Sequence, residues 1–395
     1  VILGLAARSW HQTSRGPGET IVEVAVGREG VVAVVMGETN DWRILFNNTY
    51  TLGGSRAAAN QERQALLPIL IHGRARSVGV LGVATGSTLA GATLDPALDR
   101  IDAFELSPLA ARLAQRHFQP FNRGAFRDPR VHLHVDDARW GVSRRTGAFD
   151  VVIGDLFLPW RTGEGRLFSV DHFEAVHRSL RPDGLFCQWL PLFQLTRPQY
   201  DLIARSFFTV FTNAFLIRGD FYTELPIVGL CAFADGRSFR QIDWTAIASG
   251  CKRLHDSNAG SRDPLVRHPE GIALCLLGPL PDPGPGPVNT LANAHLEWDA
   301  GRNIVGLQRP WFVGVPAAEY FKEVHRVGAR QIPTALQAAH DSGQFFLTLE
   351  IAAKVQAPVL ENLRAQVPDR LPRALREDTQ VDWSLWPMRI KPSWN

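Results

Sequence analysis

From Ser77 onward the chain alternates short apolar runs with stretches of helical periodicity, and this alternation constrains the fold more than any other feature. Ser77–Leu81, Ile101–Phe104, Val131–Val135, Phe149–Ile153 and Leu185–Leu190 read as strands. Helical spacing occupies Ser87–Leu94, Leu109–Phe118, Asp171–Leu180 and Pro198–Phe208. Strands that alternate with helices pair in parallel, because each right-handed crossover lays its helix on a face of the sheet. Phe215–Ile217 and Ile227–Phe233 then read as a closing antiparallel pair. The predicted class is α/β, a parallel sheet with a terminal antiparallel strand pair.

The flanks read differently. Thr20–Val26, Val31–Val35 and Asp41–Phe46 are three short strands, too few to enclose a core, so a small sheet docked on something larger is expected. Gln61–Ile71 has helical spacing and leads into the alternating region. Past Asp235 the pattern weakens, and Gly278–Pro287 is a proline/glycine linker. Tyr320–Val327, Ile332–His340, Phe345–Val355 and Val359–Ala365 are helical, split by Pro333, Gly343 and Pro358. The expected organisation is a β-sheet domain over 18–60, a ligand-binding α/β domain over 61–237, an irregular insertion and linker over 238–287, and a helical region over 288–395.

Composition excludes several classes. Lysine plus arginine number 42 against 39 acids, a balance with no electrostatic footprint for nucleic acid. The four cysteines lack CxxC spacing, which argues against zinc ribbons and disulfide scaffolds and for a reducing, cytoplasmic setting. No apolar run is long enough to cross a bilayer, and residues 1–7 are too short for it and lack a basic leader. The chain starts at Val1 rather than Met, so it is read as a piece, which leaves room for a membrane segment upstream.

In an open parallel sheet ligands bind at the carboxyl ends of the strands, so those ends carry the functional reading. The first ends in Gly82-Val83-Ala84-Thr85-Gly86, where small residues at 82, 84 and 86 permit a sharp turn and close approach of backbone N–H groups to a ligand. The second ends in Glu105, 19 residues after Gly86, the spacing of an acid that takes ribose hydroxyls. The third ends in Asp136-Asp137, placed to accept from the exocyclic amine of adenine. The fourth ends in Asp155, an acid directly after the apolar strand Val151–Gly154, which is costly unless partnered or used. Glu105, Asp137 and Asp155 are expected to converge on one nucleoside-binding cleft. A dinucleotide is disfavoured, since position 89 is Leu where GxGxxG requires its third glycine. His132 and His134 share a strand face but have no third ligand nearby, and no metal is expected.

Residues 20–233 resemble the spermidine synthase (aminopropyltransferase) family, most closely its bacterial spermidine synthase-like members often fused behind membrane helices. The resemblance rests on Asn60-Gln61-Glu62, Leu81–Ser87, Phe104-Glu105, Asp136-Asp137, Gly154-Asp155-Leu156-Phe157-Leu158-Pro159-Trp160, Arg166–Ser169 with His172-Phe173, and Gly184–Leu190. It implies a class I methyltransferase-type Rossmann fold behind an N-terminal β-sheet. It also implies a donor, S-adenosylmethionine or its decarboxylated form, and a small amine acceptor in a homodimeric enzyme. In this reading Gly82, Ala84 and Gly86 face the methionine-derived moiety, Glu105 the ribose, and Asp136 and Asp137 the adenine. Gln61 contacts the donor from below, and Asp155, the first acid of an Asp-x-x-Asp-Pro loop, handles the amine proton. Two positions depart from the family: the loop's second acid is Leu158, and the tyrosine before Gln61 is Asn60. Both would hold the diamine, so Glu164 is the candidate replacement acid, and Trp160 a candidate wall of the acceptor site.

Aminopropyl transfer to a small amine is the favoured expectation. Methyl transfer from S-adenosylmethionine is the alternative within enzymes, and a nucleoside-binding module without turnover is the alternative outside them. An acid-lined pocket would favour the decarboxylated donor.

Overall fold

The computed structural model describes residues 18–48, 50–257, 261–307 and 309–387, so the apolar stretch 1–7 lies outside them. Four antiparallel strands come first, paired in order: β1 (Thr20–Gly27), β2 (Gly30–Met36), β3 (Trp42–Phe46) and β4 (Tyr50–Gly54). The sequence pattern misses β4, because two of its five residues are glycines, which are depleted in strands. One face of this sheet buries Ala25, Val32, Val34, Ile44 and Phe46 on Leu113, Ala114 and Phe118, a core of its own. That packing fixes the sheet over the central domain.

Helix α1 (Ala58–His72) leads into the central sheet and is buried from Gln61 to His72. Then follow β5 (Ser77–Leu81), α2 (Ser87–Thr93), β6 (Arg100–Glu105), α3 (Pro108–His117), β7 (Val131–Val135) and α4 (Ala138–Ser143). The second half comprises β8 (Phe149–Gly154), α5 (Val170–Ser179), β9 (Leu180–Pro191), α6 (Arg197–Phe208), β10 (Phe215–Ile217) and β11 (Ile227–Phe233). Strands β5 to β9 run parallel, while β11 runs antiparallel to both β9 and β10, the class I methyltransferase arrangement. Strand β5 pairs with β6 on one side and β8 on the other. The order of connection reverses there, which opens a crevice at the carboxyl ends of these three strands.

The stretch 238–287 is not the irregular insertion expected from its weak periodicity. It forms α7 (Trp244–Asp256), α8 (Pro269–Cys275) and β12 (Leu276–Pro279), an eighth strand antiparallel to β10 at the sheet edge. A four-residue strand is specified by its partner rather than by a pattern of its own, so its sequence carries no signal. Gly278 and Pro279 therefore belong to the sheet, not to a linker. Helices α9 (His295–Arg302), α10 (Gly314–Ala329), α11 (Thr334–Lys354), α12 (Leu360–Arg370) and α13 (Arg373–Glu377) complete the described chain. The break expected at Gly343 is absent, for α11 runs through it. A Cβ there would lie 2.7 Å from the Leu274 carbonyl, so the glycine serves a close crossing rather than a helix end. Phe321, Val324, Phe346 and Leu347 of these helices share one core with Val80 and Ile153 of the sheet. No described helix is long and apolar enough to cross a membrane.

Candidate active site

The turn after β5 takes the shape its small residues allow. Gly82, Ala84 and Gly86 have φ of +81°, +48° and +84°, a left-handed conformation that glycine adopts without a Cβ penalty. The N–H groups of Val83 and Ala84 therefore point toward β6, where both donate to Glu105 Oε2, at 3.1 and 2.9 Å. Its other oxygen accepts from Ser107 N–H at 2.9 Å. Gln61 reaches the same turn from α1, and its Oε1 accepts from the Thr85 hydroxyl at 3.4 Å. The Gly82–Gly86 turn, Glu105 and Gln61 thus form one wall.

Asp155 forms the opposite wall. Its N–H donates to the Leu81 carbonyl at 3.0 Å, which ties the end of β8 to the end of β5. Its carboxylate accepts from the Thr88 hydroxyl at 3.1 Å and from the Leu156 N–H at 2.8 Å. Among the described residues no lysine or arginine pairs with it. Burial pushes its pKa up to about 6, and the charge of Glu105 adds to the shift. Glu164 is raised as well, by burial and by Glu105, against the opposing pull of Arg161. The Tyr50 phenol is pushed far up by burial, then by Glu164, Glu105 and Asp155, with Arg161 opposing. One hydroxyl therefore feels all three acids.

A loop closes over these groups. Phe157 lies against Gly82, so that a Cβ on the glycine would be 3.0 Å from its ring. Leu158 is buried and its N–H donates to Glu164 Oε2 at 2.6 Å. Glu164 Oε1 accepts from Arg161 at 2.7 Å, and the guanidinium carbon stands 4.2 Å from the Phe46 ring centre and 5.2 Å from that of Tyr50. Trp160 turns to the end of β9, where Nε1 donates to Gln194 Oε1 at 2.9 Å. Closure leaves Glu105 and Asp155 each only 7% exposed.

Not every expected residue enters this cluster. Asp137 caps α4, accepting from the Arg139 N–H at 2.9 Å, and it holds the Arg139 guanidinium at 2.6 Å. Glu105 acts on both Asp155 and Glu164, while Asp137 is engaged by Arg139 beside the end of β6, where the Asp136 N–H donates to the Glu105 carbonyl at 3.1 Å. Asp136 stands 3.6 Å from Arg144 and is half-exposed. Asn60 faces away, accepting from Arg63 at 3.2 Å and donating to Asp220 at 3.4 Å. His134 bonds Asp102 at 2.6 Å. Among the described residues one group, His72, Asp150 and Asp183, has metal-ligand spacing; it lies at the opposite end of the strands, where Arg181 already pairs with Asp150.

Sequence reasoning missed Thr88, Phe46, Tyr50 and Arg161. Thr88 is the second residue of α2, where its hydroxyl faces back to the strand ends. Phe46 and Tyr50 come from a separate sheet, and nothing in their local pattern says that it caps the cleft.

Residues 58–215 match the spermine/spermidine synthase domain model. A polyamine aminopropyltransferase from Aeropyrum pernix is 29% identical over 193 residues, covering 48% of this chain and 57% of its own. One from Klebsiella pneumoniae is 31% identical over 125 residues, covering 32% of this chain and 43% of its own. The chain thus spans about half the length of the curated relatives it matches. The structure of Thermotoga maritima spermidine synthase superposes with a TM-score of 0.50 at 18% identity, over 60% of this chain and 78% of that one, a likeness of fold.

Proposed function

Starting from the spermine/spermidine synthase domain of residues 58–215, we propose that this chain transfers an aminopropyl group from decarboxylated S-adenosylmethionine to a small amine. The observation that carries the reading is Asp155: a buried carboxylate with a pKa raised to about 6, unpaired by any described cation, facing Glu105 across the strand ends. Such an acid destabilises the fold at neutral pH and is suited to take a proton. Glu105 would take the ribose hydroxyls and exchange them for the Val83 and Ala84 amides it now binds. Gln61 and the Gly82–Gly86 turn would flank the sulfonium side of the donor. Asp137 and Asp136 would meet the adenine only by exchanging their arginine partners. The acids also select the donor. The α-carboxylate of S-adenosylmethionine would face like charge, whereas the decarboxylated form presents an ammonium.

In the reaction the acceptor arrives as an ammonium ion and gives its proton to Asp155. At pH 7 an amine of pKa near 10.4 is deprotonated at a cost of roughly 4–5 kcal/mol, which an adjacent buried carboxylate offsets. The freed lone pair attacks the methylene carbon bonded to sulfur. A carbon–nitrogen bond forms as the carbon–sulfur bond breaks, and its electron pair leaves on methylthioadenosine, a neutral thioether. The loop around Phe157 and Leu158 excludes water from the sulfonium.

The test is product analysis with both donors and a panel of small amines. Methylthioadenosine from the decarboxylated donor is expected. S-adenosylhomocysteine from S-adenosylmethionine would establish methyl transfer instead, and neither product would leave a nucleoside-binding module. Homodimerisation belongs to the same proposal and is checked by light scattering.

A further inference from the structure

Asn289 commits each of its polar groups to joining the loop after β8 to the chain beyond the sheet. It is 1% exposed and lies between β12 and α9. Its Nδ2 donates to the Gly165 carbonyl at 2.9 Å, and its Oδ1 accepts from the Leu296 N–H at 3.0 Å. Its backbone carbonyl accepts from the Val170 N–H at 2.9 Å, and its own N–H donates to the Ser206 hydroxyl at 2.8 Å. Two residues on, the Leu291 N–H donates to Asp171 at 2.8 Å. Gly165 lies so close to α9 that a Cβ on it would be 2.9 Å from the Glu297 Cβ. Helix α9 is itself fixed by the fully buried Leu296 and by Asp299, which accepts from Gln199 of α6 at 2.9 Å. Gly165 directly follows Glu164, whose carboxylate holds the Leu158 N–H, while Phe157 packs on Gly82. One chain of contacts therefore runs from Asn289 to the cover over Glu105 and Asp155. The matched spermine/spermidine synthase domain ends at residue 215, so Asn289 and α9 come from outside it.

Resting on the transfer reading above, we infer that Asn289 is a positioning residue of the reaction site, and that residues 289–297 are a strap holding loop 156–166 closed over Glu105 and Asp155. The orientation of its amide is forced, since the Gly165 carbonyl requires the NH2 group and the Leu296 N–H requires the oxygen. Two consequences separate a strap from ordinary packing of α9. Releasing the Gly165 carbonyl frees the loop while α9 keeps its own bonds. An open loop also readmits water to Asp155 and removes the burial that raises its pKa, while Glu105 stays as the charge acting on it.

The experiment follows amide hydrogen exchange of residues 156–166 by mass spectrometry, together with the pH profile of acceptor kcat/KM at saturating decarboxylated donor. Asn289→Asp keeps the acceptor for Leu296 and loses the donor to Gly165. Gly165→Ala drives a methyl group against α9 and leaves Asn289 intact. Both are expected to speed exchange of the loop roughly tenfold and to lower acceptor kcat/KM at pH 7 by roughly tenfold. Both should also move the acid limb from about 6 toward the ordinary carboxyl value of 3.8. Asp150→Asn, which loosens the sheet at its other end, should lower the thermal midpoint and alter neither readout. Loop exchange unchanged in both variants, or a limb that stays near pH 6 although the loop exchanges faster, would overturn the inference and leave Asn289 a structural partner of α9. Thermal midpoints and methylthioadenosine binding report whether each variant is folded. If no amine yields product, the transfer reading fails and loop exchange decides alone: faster exchange in Asn289→Asp supports the strap, and unchanged exchange rejects it.

Discussion

Strand β8 carries an aspartate near each end, and the two are opposite in every respect except burial. Asp150, at the amino end, is 5% exposed and Asp155, at the carboxyl end, is 7% exposed. Asp150 accepts from the N–H groups of Arg76 and Ser77, from the Ser77 hydroxyl and from Arg181. Burial opposes its ionisation, but these donors outweigh it and hold the carboxyl below its usual range. Asp155 has one hydroxyl and one N–H, and burial holds it near 6. The first acid fastens β5, β8 and β9 together; the second is left short of partners beside Glu105. The difference teaches that burial of an acid is no sign of function until its partners are counted.

Exchanging each acid for its amide tests that contrast most severely. Asp155→Asn is expected to lower turnover by about 10²–10⁴-fold, the range of a lost general base. The same change should raise the thermal midpoint. A carboxyl moved from 3.8 to about 6 favours folding fully below pH 3.8 and loses that contribution as pH rises to 6. At neutral pH ionised Asp155 therefore costs roughly 3 kcal/mol that asparagine does not. Asp150→Asn should do the reverse, losing roughly 2–3 kcal/mol by denaturant titration while the folded fraction keeps near wild-type turnover. Loss of stability with near wild-type turnover of the folded fraction in Asp155→Asn would make the two aspartates alike.

The next effect is on donor binding. Glu105→Gln removes the charge from the ribose-facing acid, and the donor KM should rise roughly 10–100-fold with a smaller change in kcat. Calorimetry with methylthioadenosine checks it. In the pH profile, kcat/KM for the acceptor should climb tenfold per pH unit up to about 6, as Asp155 ionises, and then level off. In Asp155→Asn that limb should vanish. The smallest effect is expected from Thr88→Val, which removes one donor to the ionised form and moves the limb to higher pH, by less than tenfold in rate at pH 6.

What was legible in the sequence follows from the same physics. Asp155 stood out because an acid directly after a buried apolar strand has few explanations. Gly82, Gly86 and Glu105 stood out because their spacing is that of one strand–turn–helix–strand unit. For Asp137 the sequence left two roles open, because an acid that caps a helix and an acid that binds a ligand look identical at a strand end, and the structure shows the first. Helix α4, six residues long, was too short to announce itself. The grouping of Phe46 and Tyr50 with Arg161 and Glu164 was illegible for another reason. Phe46 and Tyr50 lie about a hundred residues from Arg161 and Glu164, and only the packing of the small sheet on α3 brings them together.

A crystal structure with methylthioadenosine tests the account most directly. The ribose hydroxyls are expected on Glu105, with the sulfur between the Gly82–Gly86 turn and Asp155. Adenosine seated elsewhere, with Glu105 still bound to the Val83 and Ala84 amides, would contradict it.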